Sequence, residues 1–398
     1  MNRVIVLLYI LLAHLMIGST TVRGAEVEVS LLTCSPGVKS YELYGHTALR
    51  VKQIESGIDA VFNYGVFDYT QSNFTWHFIL GKCDYMVMPV SYNAFFREYE
   101  RRGSSILSQR LNLTQGEAVK LFGLLYENAK PENMVYRYDF YRNNCTTKVR
   151  DIVEQAVDGE IIYPELPLLL MYHRHETYRE MIHYYTSHSK WCEAGQDLLL
   201  GCHSDTVLSS RAMLFLPECL SSAYDGAEIR SENKDTRPLV AERKELLQKG
   251  CQIDEPGFPF SPLQCSVILF AFSLLVLTLE VFFKRQMWLV DIVLWGAVGV
   301  AGLLLCFLFC FSKHPTLGSN FQIWLFNPLP LVGLFYIVPA ARKKQRTLWH
   351  GFDFAWLFFF ILFMPWVPQD YASGVFPLAL SLMTRPISYF LAYRRDEQ

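Results

Sequence analysis

The chain has 398 residues, is 51% hydrophobic and 15% aromatic, and carries a net charge of -2. That is material for two domains, and the charge balance argues against a nucleic-acid surface. The apolar residues collect at the two ends, an asymmetry that points to a membrane part.

At the N-terminus, Asn2-Arg3 precede an apolar run over residues 4–17 and then small residues up to Gly24-Ala25. A basic start, a short apolar core and small residues make residues 1–25 a secretory signal peptide. An uncleaved anchor is the other reading. Residues 26–200 read as an extracytoplasmic catalytic domain, 201–261 as its extension and a linker, and 262–398 as a membrane domain.

The first strand with chemistry is Tyr44-Gly45-His46-Thr47-Ala48-Leu49-Arg50-Val51. Its alternation puts Thr47, Leu49 and Val51 on one face and His46, Ala48 and Arg50 on the other. A second strand, residues 60–68, follows a turn near Ser56-Gly57. Paired as a hairpin, Arg50 faces Asn63, and His46 faces Phe67 or Asp68. An imidazole base needs a third group to hold its tautomer. Asp68 and Asn63 are the candidates, Asp68 ahead on register, with Glu42 and Asp139 behind them. Residues 78–85 read as a further strand, and Thr114-Gln115-Gly116-Glu117 is a capping box ahead of a helix.

An extended aromatic run, residues 135–141, leads into Arg142-Asn143-Asn144-Cys145-Thr146-Thr147. A helical pattern follows, with Val149, Ile152 and Val153 on one side. Cys145 therefore sits where a strand turns into a helix, and Asn143 or Asn144 caps that helix. The helix N-terminus favours the thiolate, and its first-turn amides can receive an oxyanion. A small buried apolar cysteine is the alternative; the upstream His46 tips the reading toward a nucleophile and its base.

Residues 172–186 contain a helix. His173 and His175 have no partner motif at ligand spacing, so no metal is expected, and nothing calls for a cofactor. Of the ten cysteines, Cys192 and Cys202 are the preferred local disulfide among fifteen possible connectivities of six extracytoplasmic cysteines. Residues 231–249 are strongly charged and read as a solvated helix or linker.

Five apolar segments follow, near 264–283, 287–311, 321–341, 349–367 and 372–392, each about long enough for a ~30 Å hydrocarbon core. Lys284-Arg285, the basic run at 342–346 and Arg394-Arg395 alternate to one side, which is then cytoplasmic. Residues before the first span are outside, in agreement with the signal peptide. The external loop at 312–320 carries His314 and Asn320, and Asn327-Pro328 breaks the third span. A polar break in lipid suggests a cavity or a protein-packed site, with His314 and Asn320 as lipid-positioning candidates; an ordinary loop and kink is the other reading.

The order His46 then Cys145 resembles that of permuted papain-like enzymes of the lecithin:retinol acyltransferase group. More closely, the chain resembles the Lnb-type lipoprotein N-acyltransferases of Bacteroidota. The resemblance rests on Leu43-Tyr44-Gly45-His46-Thr47-Ala48-Leu49-Arg50, Phe62-Asn63-Tyr64-Gly65-Val66-Phe67-Asp68 and Tyr138-Asp139-Phe140-Tyr141-Arg142-Asn143-Asn144-Cys145-Thr146-Thr147. It continues in Asp197-Leu198-Leu199-Leu200-Gly201, His314-Pro315, Asn320 and Asn327-Pro328. Arg142 departs from it, standing where an acidic residue is common. The resemblance implies an α+β fold: a permuted papain-like (NlpC/LRAT-like) domain followed by about five membrane helices. It implies that an acyl chain passes from a phospholipid donor, through a Cys145 thioester, to the N-terminal amine of a diacylated lipoprotein, in the bacterial inner membrane with the catalytic domain in the periplasm. Arg50, Tyr64 and Asn144 are then candidates for binding substrate, beside His314 and Asn320. A membrane-anchored cell-wall peptidase or amidase and a non-enzymatic binding module stay open.

Overall fold

A computed structural model describes residues 26–39, 42–67, 76–77, 80–82, 84–164, 177–250 and 257–392. Asp68, His173 and His175 lie outside the described residues, as do Cys83, Cys251 and the whole of residues 1–25. The chain divides into two units: residues 1–175 with 208–254, and residues 176–207 with 255–398. Residues 176–207 thus group with the membrane helices, between two stretches of the soluble unit.

The soluble unit is built on an antiparallel sheet of β1 (Val27–Cys34), β2 (His46–Gln53), β3 (Ile58–Val66), β4 (Asp84–Ser91), β5 (Ile106–Leu111), β6 (Val135–Arg137) and β10 (Val240–Leu247), in the order β10-β5-β1-β2-β3-β4-β6. Short strands β7 (Glu160–Ile162), β8 (Glu228–Arg230) and β9 (Thr236–Pro238) form a second sheet. Alternation along β2 sorts the two faces of the main sheet. Leu49 and Val51 join Leu31, Phe62 and Tyr64 against helices α2 (Gln115–Asn128) and α3 (Cys145–Ala156), whose Leu121, Leu125, Val149, Ile152 and Val153 are buried with them. Ala48 joins Leu32 and Val61 against Phe95 and Tyr99 of α1 (Tyr92–Arg102). The sheet is thus covered on both sides.

The expected capping box is present: Glu117 N donates to Thr114 Oγ1 (3.2 Å) and Thr114 N to Glu117 Oε2 (2.7 Å). The charged stretch 231–249 is neither helix nor linker. It supplies β9 and β10, and β10 pairs with β5 through Glu242↔Arg110 and Lys244↔Ser108. A run of alternating charges suits an edge strand, where it discourages pairing with another chain. The aromatic run before Cys145 is strand only to Arg137, because Asp139 Oδ1 accepts from Tyr141 N (2.9 Å) and Arg142 N (3.2 Å) and turns the backbone. Cys192 and Cys202 are both free thiols, so the preferred disulfide is not formed.

In the second unit, α4 (Tyr178–Thr186) and α5 (Lys190–Leu199) precede five helices long and apolar enough to cross a membrane, over Pro262–Phe283, Trp288–Phe311, Phe321–Arg342, Leu348–Trp366 and Val375–Ala392. The first of these is α7, after the soluble unit's α6 (Pro217–Asp225), and the last is α11. At the break, Asn327 Oδ1 accepts from Leu329 N (3.1 Å) and its Nδ2 donates to Trp324 O (3.0 Å). The side chain satisfies the backbone that the break frees, as lipid surroundings require.

Candidate functional site

Residue 145 opens α3, and Asn144 is its cap. Asn144 Oδ1 accepts from Thr146 N (2.8 Å) and Thr147 N (2.9 Å), while its Nδ2 donates to Phe140 O and Phe215 O, both at 2.8 Å. Every polar group of this buried side chain is spent on protein. The structure therefore makes Asn144 a positioning residue for the thiol, where substrate contact was expected. Two of the first-turn amides are spent likewise; the Cys145 N–H is the one the cap leaves for an oxyanion.

His46 begins β2 just after Gly45, whose φ of +73° favours glycine and where an added Cβ would stand 2.5 Å from Cys34 O. The β2–β3 register is two residues from the expected one: Arg50 lies opposite Val61, and Leu49 opposite Phe62. Continued, that register brings His46 across from Gly65. There the β3–β4 pairing shifts between Asn63 and Val66, and Gly65 takes φ +89°. A Cβ at Gly65 would touch both Cys145 Cβ (3.6 Å) and His46 Cε1 (3.8 Å), so this bulge forms one wall of the pair. A glycine inside a strand pattern is the sequence signal that could have found it.

His46 Nε2 is 2.6 Å from Asn63 Oδ1. Asn63 is thus the side-chain partner that the described residues give this nitrogen, and with Nε2 so occupied, Nδ1 is left for the sulfur. The ring also lies nearly parallel to Tyr99, centroids 6.3 Å apart and planes 13° apart. Burial pushes the Cys145 thiol up, but the facing His46 charge and hydrogen bonds from His46, the Thr47 amide and Thr146 outweigh it, and the net shift is downward. For His46, burial disfavours the imidazolium, while the Cys145 thiolate and the bonds to Cys145 and Asn63 raise its pKa overall. The two shifts favour the thiolate and the imidazolium over their neutral forms, and the titration belongs to both groups. Thr47 and Thr146, their hydroxyls 3.1 Å apart, were not singled out from sequence; they join strand and helix beneath the sulfur.

The other candidates are committed elsewhere. Arg50 forms a two-point ion pair with Asp59 (2.7 and 2.6 Å) and lies 3.5 Å over the Tyr92 ring. Tyr64 is in the core behind the sheet, its hydroxyl accepting from Asn128 Nδ2 (3.0 Å). In the second unit, Asn320 Nδ2 donates to Leu198 O (2.8 Å), and its Oδ1 accepts from Gln322 N and Gln369 Nε2, both at 3.0 Å. These bonds make Asn320 an anchor of the loop. His314 is half-buried in the same loop, its amide donating to Ser312 Oγ (3.3 Å).

Two measurements probe the pair directly. Alkylation of Cys145 by iodoacetamide should begin at a lower pH than for an ordinary thiol, since the imidazolium holds the thiolate. In His46→Ala that support is gone while burial remains, so the onset should move above the ordinary thiol range. An unmoved onset would disprove the ion pair. Asn63→Ala should lower turnover by on the order of tenfold or more and shift the same alkylation profile, because a mis-oriented imidazole loses its tautomer; a profile identical to wild type would exclude Asn63 as the orienting group.

A sheet-based α+β domain presenting a Cys–His pair, joined to five spans, defines a multi-pass membrane protein with a thiol-bearing soluble domain. The chain matches the family model of the Lnb N-terminal periplasmic domain over residues 17–187 and that of the Lnb transmembrane domain over residues 253–396. It is an Lnb-type protein with the periplasmic and membrane domains of that family, a membrane-associated enzyme of lipoprotein maturation. No curated protein and no solved structure matches it.

Proposed function

We propose that this protein is a lipoprotein N-acyltransferase of the bacterial inner membrane. The observation that carries the reading is the half-buried thiol at a capped helix N-terminus, hydrogen-bonded to a histidine that Asn63 holds. The Cys145 sulfur attacks the ester carbonyl of a phospholipid, and the Cys145 N–H receives the oxyanion. His46 gives its proton to the departing lysophospholipid oxygen, leaving a thioester and a neutral imidazole. The α-amine of a diacylated lipoprotein then attacks the thioester. His46 takes the amine proton, the amide forms, and the thiolate–imidazolium pair is restored.

Both substrates are lipids, which accounts for the five spans; a cell-wall peptidase would have no use for them. A strand histidine ahead of a helix-start cysteine also supports the likeness to permuted papain-like enzymes. The test is to incubate the full-length protein with isotope-labelled phospholipid and a diacylated lipopeptide and weigh the products. The expected result is a triacylated peptide carrying the label. Release of labelled free fatty acid with no peptide product would indicate a hydrolase instead.

A further inference from the structure

Helix α5 faces the wrong way for a helix in water. Its acids point inward: buried Asp197 is held by Arg179 Nη1 and His183 Nε2, each at 2.8 Å, and buried Glu193 by Lys190 Nζ at 3.0 and 3.1 Å. Its apolar stripe points outward. Trp191 and Leu199 are 49% and 40% exposed, and Gly195, exposed as well, lies between them at helical spacing. Leu198, on the same stripe, packs into the apolar cluster of the membrane-spanning helices.

The exposed stripe is joined to the start of the first span. The Trp191 indole N–H donates to Phe260 O (2.8 Å), and its ring meets Phe258 edge-on at 5.9 Å. Phe258 and Phe260 are themselves 63% and 46% exposed, and Pro262 opens α7 two residues later, with Leu263 exposed beyond it. The patch therefore runs without a break into a surface that faces lipid. It sits at the extracytoplasmic end, because α5 continues into Gly201, whose amide donates to Thr316 O (2.8 Å) in the loop opposite the basic ones. Aromatic rings with an apolar body and a polar edge settle at that depth.

We propose that α5, with Phe258 and Phe260, lies in the plane of the outer leaflet as an interfacial anchor, with Trp191 and Leu199 among the upper acyl chains. Lys190, half-exposed at its start, keeps its ammonium on Glu193. The outward Trp191 and Leu199 suit an apolar medium, and the inward acids are paired with Arg179, His183 and Lys190. The proposal is independent of the reaction at Cys145.

The test uses the full-length protein in nanodiscs containing lipids brominated near the top of the acyl chain. The emission missing from Trp191→Phe, measured against wild type, isolates the Trp191 signal. At a depth of about 5–10 Å that signal should be quenched roughly twofold by the bromolipids and be insensitive to aqueous iodide. Phe258→Trp, at a position exposed enough to accept the larger ring, should add emission that the same lipids quench. Quenching of these signals by iodide and not by bromolipid would overturn the proposal, placing the patch in water. So would shielding from both quenchers, which would mean that a protein partner or a second copy covers it.

Discussion

Cys145→Ala and His46→Ala should each abolish N-acylation, and the covalent acyl adduct should disappear with the thiol. The two side chains act as a unit, so removing either forfeits nearly the whole covalent pathway, a loss on the order of a thousandfold or more. The variants should differ in one informative way. Cys145→Ala cannot form a thioester at all, whereas His46→Ala keeps a thiol that burial now holds protonated, and slow acylation at raised pH is expected. Mass measurement of the intact protein after incubation with phospholipid reads both. Because Cys145 is half-buried at a helix start and His46 is at a strand end, neither truncation opens the core. Thermal midpoints close to wild type should accompany the loss. Either variant within about tenfold of wild-type activity would show that Cys145 and His46 are not the catalytic pair.

Arg385→Leu should destabilise the membrane unit by about 3–5 kcal/mol. Arg385 is wholly buried in α11 and donates from Nη2 and Nη1 to Glu280 (2.7 and 2.9 Å) and from Nε to Asp291 (2.7 Å). Ser388 Oγ adds a bond to Glu280 at 2.6 Å. These groups pin three spans together near the basic-loop ends of the helices, where charged groups facing lipid would be expensive. Removing the arginine strands two buried carboxylates. Replacing all three together, as Glu280→Gln, Asp291→Asn and Arg385→Leu, should recover much of the loss, since no uncompensated charge is left behind. Unfolding in detergent followed by tryptophan emission measures both. A single variant as stable as wild type would show that the cluster does not pin the spans.

Much of this was legible because it is local. The cap before Cys145, the box at Thr114 and Glu117, and the five apolar spans are each set within a few residues of chain, where side-chain spacing speaks for itself. The pairing of Cys145 with His46 was inferred from residue types and from a resemblance, and the fold brings the two into hydrogen-bond contact. For the third group the sequence offers both Asn63 and Asp68, and only Asn63 is among the described residues. A strand register is soft when read from a turn alone: β2 and β3 pair two residues away from the expected alignment, and His46 Nε2 lies 2.6 Å from Asn63 Oδ1.

Several residues whose types suggest chemistry are tied to partners distant in the chain. Arg50, Tyr64, Asn144 and Asn320 carry groups that could hold a substrate, yet each has its partners inside the protein. Nothing near them in the chain could announce Asp59, Asn128, Phe215 or Leu198 as those partners, because the separations run from 9 to 122 residues. The departure of residues 176–207 from the soluble unit was hidden in the same way. Its helix buries acids and exposes a tryptophan, and only the surrounding fold reveals which face is which. Periodicity marks two faces of a helix; the medium each face meets is a property of the assembled molecule.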